Sequence, residues 1–358
     1  MSGNHKIQTT NTRNEILSQP QCWEECFTAL ENCKPLESVA AQVNPDAVCL
    51  FIGCGSSYYV AQAAAASWTH ITGMRARAVP ASELLLFPDL VLMRGVEYQP
   101  VLISRSGNTS EVLQAAEYLE RQRNIRTLVI SCTADQPLDA LASFTMHLLP
   151  ADEKSIVMTR SFTSMVLGLQ FLAGRVAGGQ DFTQVVERLA VGAKRVLDLF
   201  HPRIREFVHR HDFADYVFLA QGPLSGIASE GQLKVAEMSC SYAQMFHTLE
   251  FRHGPKAIVG PETLVTFLLS ESANQAEREV LEEVKQLGGT TLVITNCADA
   301  VARNCADLLV ELNLDVPEYH RLIAYVLPLQ LLGLYTGLKK GFDPDQPRNL
   351  SRAVILSK

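Results

Sequence analysis

Three groups of side chains in this sequence have the types and spacings that do chemistry. The densest is Ser104-Arg105-Ser106-Gly107-Asn108-Thr109, which with Ser110 places four hydroxyls in seven residues around one glycine. An apolar run, Val101-Leu102-Ile103, precedes it, and a helical pattern starts at Ser110-Glu111-Val112. A glycine lets such a turn take a backbone conformation closed to other residues. The following helix offers unpaired N–H groups and the positive end of its dipole. Together these make a cup that holds a phosphate monoester without a metal. The plain alternative is a capped helix start with Thr109 as N-cap. The hydroxyl density at the end of a buried strand favours phosphate.

The second group is Glu230, Lys234 and Glu237, spaced four and three residues apart and so on one helix face. An exposed salt-bridge ladder is the ordinary reading. Ile227, Ala228, Leu233, Val235 and Met238 make the helix largely apolar, which argues for a buried carboxylate tuned by a lysine for proton transfer. A helix leaving the C-terminal edge of a parallel sheet also points its first turns at the ligand crevice. The third group is His253, in Glu250-Phe251-Arg252-His253-Gly254-Pro255, where Gly-Pro forces a turn and presents the ring from a loop. A solvated loop histidine is the alternative, and His247 is the weaker candidate.

Positioning these groups requires a repeated βα pattern. An unbroken apolar run predicts a strand at 47–52, and apolar stretches predict others at 101–103 and 127–131, and again at 216–219, 264–269 and 291–295. Helices are expected between them, with Pro202 dividing a connector into 182–199 and 203–212. Gly55 and Gly222 lie 167 residues apart, Ser104 and Ser270 lie 166 apart, and Thr127 and Thr291 lie 164 apart. The chain is therefore read as an internal duplication of a parallel-sheet domain. The second copy has Ser272-Ala273-Asn274-Gln275 and lacks the glycine and threonine, so the phosphate cup is expected in the first copy only. The expected boundaries are an N-terminal arm at 1–34, a first domain at 35–180, a connector at 181–212, a second domain at 213–342 and a tail at 343–358. Residues 1–13 read as disordered. The arm, with Trp23, is expected to pack on a neighbour. The tail reads either as a disordered end or as a lid carrying Arg348 and Arg352.

Totals bound the rest. The chain has 358 residues, 47% of them apolar and 19% charged, enough for two buried cores. A net charge of −7 argues against nucleic acid as a partner. Nine cysteines without metal spacing read as thiols of a reduced, cytoplasmic chain, with Cys49, Cys132 and Cys297 buried. Met1 to Thr10 carries no leader pattern, and no run is read as spanning a membrane. Gly53-Cys54-Gly55-Ser56-Ser57-Tyr58 is not a dinucleotide fingerprint, no Walker loop is present, and no metal or other cofactor is expected.

These stretches match a known family. Glu15-Ile16…Gln19-Pro20, Gly53 to Tyr58, Ser104 to Thr109, Val157-Met158-Thr159-Arg160-Ser161-Phe162-Thr163, Ser229 to Lys234, Arg252-His253-Gly254-Pro255 and Asp345-Gln346-Pro347-Arg348-Asn349-Leu350 resemble the sugar isomerase (SIS) domain family in its tandem form. That form includes the isomerase half of glucosamine-6-phosphate synthase, stand-alone amino-sugar-phosphate isomerase/deaminases and fructosamine-6-phosphate deglycases. The resemblance implies an α/β fold of two tandem SIS domains, each a parallel sheet flanked by helices in a three-layer sandwich. It implies that Ser57, Ser104, Arg105, Ser106 and Thr109 bind phosphate, with Arg105 standing where the synthase has glutamine. It implies that Val157 lines the sugar and that Glu237 moves a proton between C1 and C2, with Lys234 beside it and Glu230 on the same helix. It implies that His253 opens the sugar ring from the partner subunit, which makes a homodimer part of the site.

Arg352 stands where the synthase has a tail lysine that forms a Schiff base. A guanidinium stays protonated and is a poor nucleophile. Lys234 or Lys358 would have to replace that lysine, or no Schiff base forms. No amidotransferase segment precedes residue 12, so ammonia from glutamine is not expected. The expected function is a phosphosugar aldose–ketose isomerase acting on an amino-sugar 6-phosphate and releasing ammonia. The alternatives are a fructosamine-6-phosphate deglycase and, of another class, a phosphosugar sensor without turnover.

Overall fold

The structure is a computed structural model and describes residues 10–179 and 182–356. Lys358 and most of the stretch expected to be disordered lie outside these residues. The chain forms two compact units. One, here the N-terminal unit, gathers Gln19–Asp152, Arg160–Ala190 and the tail from Ser351; the other, the C-terminal unit, gathers the residues up to Ser18, Glu153–Thr159 and Val191–Leu350.

In the N-terminal unit five strands, β1 Val48–Gly53, β2 Ala76–Pro80, β3 Tyr98–Ile103, β4 Leu128–Ser131 and β5 Phe144–His147, make one sheet in the order β2-β1-β3-β4-β5. Every pairing is parallel. All six residues of β1 are buried, as they must be in a strand covered by helices on both faces. Leu50, Ile52, Leu102 and Val129 pack with Val112, Ala115, Ala116 and Leu119 of the following helices in one core. Trp23 is fully buried, and its indole N–H donates to the Thr163 hydroxyl at 2.9 Å, so the arm does pack on a neighbouring helix, Arg160–Val176.

The C-terminal unit repeats this plan. Strands β6 Asp215–Ala220, β7 Ala243–His247, β8 Thr263–Leu268, β9 Thr290–Thr295 and β10 Leu308–Glu311 lie parallel in the order β7-β6-β8-β9-β10. Read by rank within each copy, both orders are 2-1-3-4-5, so the duplication inferred from sequence offsets is present in the topology. Val217, Leu219, Val265 and Phe267 form its core with Val280, Leu281 and Val284 of the helix Asn274–Gln286.

Several local expectations are corrected. Four strands were missing from the sequence reading: β2, β5, β7 and β10, the edges of the two sheets. Edge strands are half covered, so their residues are only partly apolar, as in Ala76-Arg77-Ala78-Val79-Pro80. The connector is one helix, Phe182–Arg210, continuous through Pro202. Its buried stripe, Leu189, Ala193, Val196, Phe200, Ile204 and Phe207, keeps helical spacing across the proline, and burial outweighs the single lost backbone hydrogen bond. Cys49 and Cys132 are buried, but Cys297 is exposed because it lies in the turn after β9. Among the described residues one stretch, Glu318–Lys339, is long and apolar enough to cross a membrane, and 89% of its 18-residue apolar window is buried inside the fold.

The start of the chain is tied to its far end within the C-terminal unit. The helix Asn11–Leu17 has no cap from Thr10, its own N-cap residue. Instead the Asp345 carboxylate accepts the N–H groups of Thr10, Asn11 and Thr12 at 2.7–3.0 Å and the Thr12 hydroxyl at 2.7 Å. Partial burial opposes the charge on Asp345, but these donors outweigh it and hold its pKa below the ordinary carboxylate value. A depressed carboxylate stabilises the fold above its unfolded pKa of about 4 and loses that contribution as pH falls through its folded value. Asp345→Ala is expected to lower stability by ~1–2 kcal/mol at neutral pH, the size of a lost N-cap. In urea unfolding the gap between the two proteins should close below about pH 4.

Candidate active site

In each sheet the chain leaves the first strand towards one edge and later returns to the other. The first and third strands of each copy therefore flank a crevice at their C-terminal ends. In the N-terminal unit the two turns at that crevice are Gly53 to Ser57 and Ser104 to Thr109. Gly107 has φ +62°, and a Cβ there would lie 2.6 Å from the Gln136 Cβ, so only glycine fits. Thr109 does occupy the N-cap position of the helix Ser110–Glu117, but its side chain makes no capping bond. Its hydroxyl faces that of Ser104 at 3.4 Å instead. Ser106 Oγ accepts the Asn108 N–H at 3.3 Å. Ser57 is buried at the start of the helix Ser56–Thr72. Arg105 is buried too, and its guanidinium donates to the Arg352 carbonyl at 2.5 Å.

That contact belongs to the tail, which lies along the start of the same helix. The Ser110 N–H donates to the Val354 carbonyl at 3.1 Å, and the Leu356 N–H donates to Ser110 Oγ at 2.9 Å. The Arg352 guanidinium pairs with the Asp152 carboxylate.

The equivalent turn of the C-terminal unit is filled by its own carboxylates. Ser270, the counterpart of Ser104, donates its N–H and hydroxyl to Glu277 at 2.8 and 3.0 Å. Glu318 accepts the Glu271 N–H at 2.5 Å and the Ser272 hydroxyl at 2.9 Å. Burial, against the two Ser270 bonds, pushes the Glu277 carboxyl up to about 7. Loss of the glycine and threonine is thus matched by a change of occupant.

The charged face lies on the helix Leu224–Ser239, which follows β6. Lys234 is fully buried, with Nζ 2.5 Å from Glu237 Oε2 and 3.2 Å from Glu230 Oε1. Glu230 is equally buried, whereas the Glu237 side chain keeps 18% of its surface exposed. This is a buried ion triad with one open carboxylate and not a surface ladder. Burial opposes the charge on Lys234, yet the two glutamates outweigh it and raise its pKa above the ordinary lysine value. The helix is clamped by Leu322–Lys339, where a Cβ on Gly333 would sit 2.8 Å from the Lys234 carbonyl oxygen and one on Gly337 2.2 Å from that of Met238. Backbones in such contact hold the triad rigidly. Contrary to expectation, Glu237 is in the last turn, about 20 Å along the helix from its start, and not in the turns that face its own sheet's crevice.

The SIS domain profile matches residues 48–175 and 215–336, the two sheet repeats just described. The chain belongs to the SIS domain family. It is 25% identical over 355 residues to glutamine–fructose-6-phosphate aminotransferase [isomerizing] of Pyrobaculum aerophilum, covering 96% of this chain and 57% of that protein. The chain spans about half the length of the curated relatives it matches. Among solved structures, glucosamine-6-phosphate deaminase from Thermotoga maritima superposes with a TM-score of 0.80 at 29% identity, covering 97% of this chain and all of that one. Tagatose-6-phosphate ketose/aldose isomerase from Escherichia coli shares the fold, with a TM-score of 0.83 at 21% identity over 100% of this chain and 99% of that one.

The structure brings together Ser104, Thr109, Arg105 and Arg352 in one unit and Glu230, Lys234 and Glu237 in the other. Val157 is buried in the C-terminal unit, and the Ser155 hydroxyl donates to its carbonyl at 3.0 Å. Two glutamates pin this segment. Glu15 accepts the Lys154 and Ser155 N–H groups and the Ser155 hydroxyl, and Glu153 accepts the N–H and hydroxyl of Thr159, both at 2.6 Å. Neither glutamate was singled out from sequence; the only signal was Glu15's place in the first matching motif. His253 is exposed, and its ring makes no hydrogen bond or ion pair among the described residues.

Proposed function

We propose that this chain interconverts an aldose and a ketose phosphate, acting on an amino-sugar 6-phosphate and releasing ammonia. The observation that carries the reading is the lysine buried between two glutamates, of which Glu237 alone is open. The resemblance in sequence and fold to a glucosamine-6-phosphate deaminase supports the substrate class.

In this reading the hydroxyls of Ser57, Ser104, Ser106 and Thr109, with Arg105, hold the 6-phosphate. His253 of the partner subunit in a homodimer moves the proton that opens the ring. Glu237 takes the C2 proton of the open-chain sugar and gives an enolamine. Lys234, kept as an ammonium by its neighbours, stabilises the negative charge that develops on O1. Glu237 returns the proton to C1, a proton from the amine nitrogen passes to O1 as the C2 imine forms, and water hydrolyses that imine to a ketose and ammonia. A protonated lysine is no nucleophile, so in this reading Lys234 itself forms no Schiff base. Val157 borders the sugar, and the tail around Arg352 closes over the phosphate.

The test is a panel of sugar phosphates assayed for ketose and ammonia. Ammonia with fructose 6-phosphate from glucosamine 6-phosphate is expected. Amine release from fructosamine 6-phosphates alone would assign a deglycase. Binding without any product would assign a sensor.

A further inference from the structure

The turn at 104–109 is held from behind by the end of β4 and the loop that follows it, up to Asp139. The Arg105 carbonyl accepts the Cys132 N–H at 3.0 Å and the Ser131 hydroxyl at 3.3 Å. The Gly107 carbonyl accepts the Leu138 N–H at 3.2 Å. A trans peptide points its N–H opposite to its C=O. Tying back these two carbonyls therefore turns the Ser106 and Asn108 N–H groups away from the loop. There the Asn108 N–H meets Ser106 Oγ at 3.3 Å, so the Ser106 hydroxyl lies on that side too. Gln136 sets how close the loop comes, since its Cβ stands where a side chain at position 107 would have to go.

One carboxylate fixes this loop. Asp139 Oδ2 accepts the Gln136 N–H at 3.0 Å, and Oδ1 meets Nε2 of His147, the last residue of β5, at 3.1 Å. The second copy is built differently. Ala273, the counterpart of Gly107, gives its carbonyl to the Glu277 N–H of its own helix at 3.2 Å. Among the described residues no backbone N–H of the loop after β9 bonds a carbonyl of 270–273. The tie is thus found in the copy with the hydroxyl cup and not in the copy whose turn is filled by carboxylates.

We propose that Asp139 is a positioning residue for the phosphate: through Gln136 and Leu138 it sets the face that the 104–109 turn presents to the anion. His147 anchors it to the sheet. Donors to an anion must be held within a fraction of an ångström by such supporting bonds. The inference rests on the reading that this turn holds phosphate, and on no later step of the reaction.

Inorganic phosphate is the probe, titrated into the full chain by calorimetry, so that no turnover is needed. The intact protein is expected to bind a single phosphate. Asp139→Ala removes both bonds and should weaken phosphate about tenfold, by analogy with loss of a group that orients a metal ligand. Asp139→Asn keeps an oxygen for the Gln136 N–H and an amide for the His147 ring, and should bind within about twofold of the parent. His147→Ala removes the anchor alone and should fall between. Asp345→Ala, whose stability loss arises in the C-terminal unit, should leave phosphate affinity unchanged. Urea unfolding places all the variants on one stability scale. Parent-like affinity in Asp139→Ala, or a loss no larger than that of Asp345→Ala, would overturn the inference and leave the phosphate turn standing. So would equal losses in Asp139→Asn and Asp139→Ala, which would make the charge and not the two bonds the cause. If the intact protein bound no phosphate, the reading of the turn would fall and this inference with it.

Discussion

Glu237→Gln is expected to keep sugar-phosphate binding and to lose turnover by ~100-fold or more, the loss that follows removal of a general base. The substitution preserves shape, and Lys234 retains Glu230 as a counter-ion at 3.2 Å. Glu237 is partly open to solvent, so its neutral amide need not be buried without water. The loss should therefore fall on kcat, with KM nearly unchanged, because no phosphate contact is touched. Turnover within a few-fold of the parent would remove Glu237 from the chemistry.

Lys234→Met carries the second large effect, and it has two parts. Removing the ammonium leaves Glu230 buried and Glu237 beside it without their cation. Breaking a buried ion pair in this way costs ~3–5 kcal/mol, read as a lower midpoint in urea unfolding. Loss of charge stabilisation on O1 costs a further ~100- to 1,000-fold in kcat, by analogy with removal of an oxyanion donor. The two parts separate in the double variant Lys234→Met with Glu230→Gln. Neutralising the buried carboxylate should restore part of the stability and none of the activity. If activity returned with stability, Lys234 would be structural only.

The parts legible in the sequence were those where burial is complete. Every inner strand is covered on both faces, so β1, β3, β4, β6, β8 and β9 show as largely apolar runs. The edge strands β2, β5 and β7 have no such run, and that of β10, Leu308-Leu309-Val310, is short and ends in Glu311. Pro202 gave a local signal to stop a helix, and the buried stripe from Leu189 to Phe207 overrode it. The hydroxyl-rich turn after β3 was legible because Gly107 and the hydroxyls lie within one short stretch. The Glu277 plug of the second copy was not, since a glutamate in a first helical turn reads the same whether it faces water or a serine seven residues earlier. The Asp345 cap joins residues more than three hundred positions apart, and spacing carries no trace of that.

Deuterium at C2 of glucosamine 6-phosphate is the direct probe of the central claim, that Glu237 transfers the C2 proton of a bound amino-sugar phosphate. Followed by NMR in ordinary water, the intact protein should remove the C2 deuterium as ketose and ammonia form. Glu237→Gln should bind the sugar and leave the label in place. Removal of the label by the variant at the parent's rate, or no removal by the intact protein, would contradict the account.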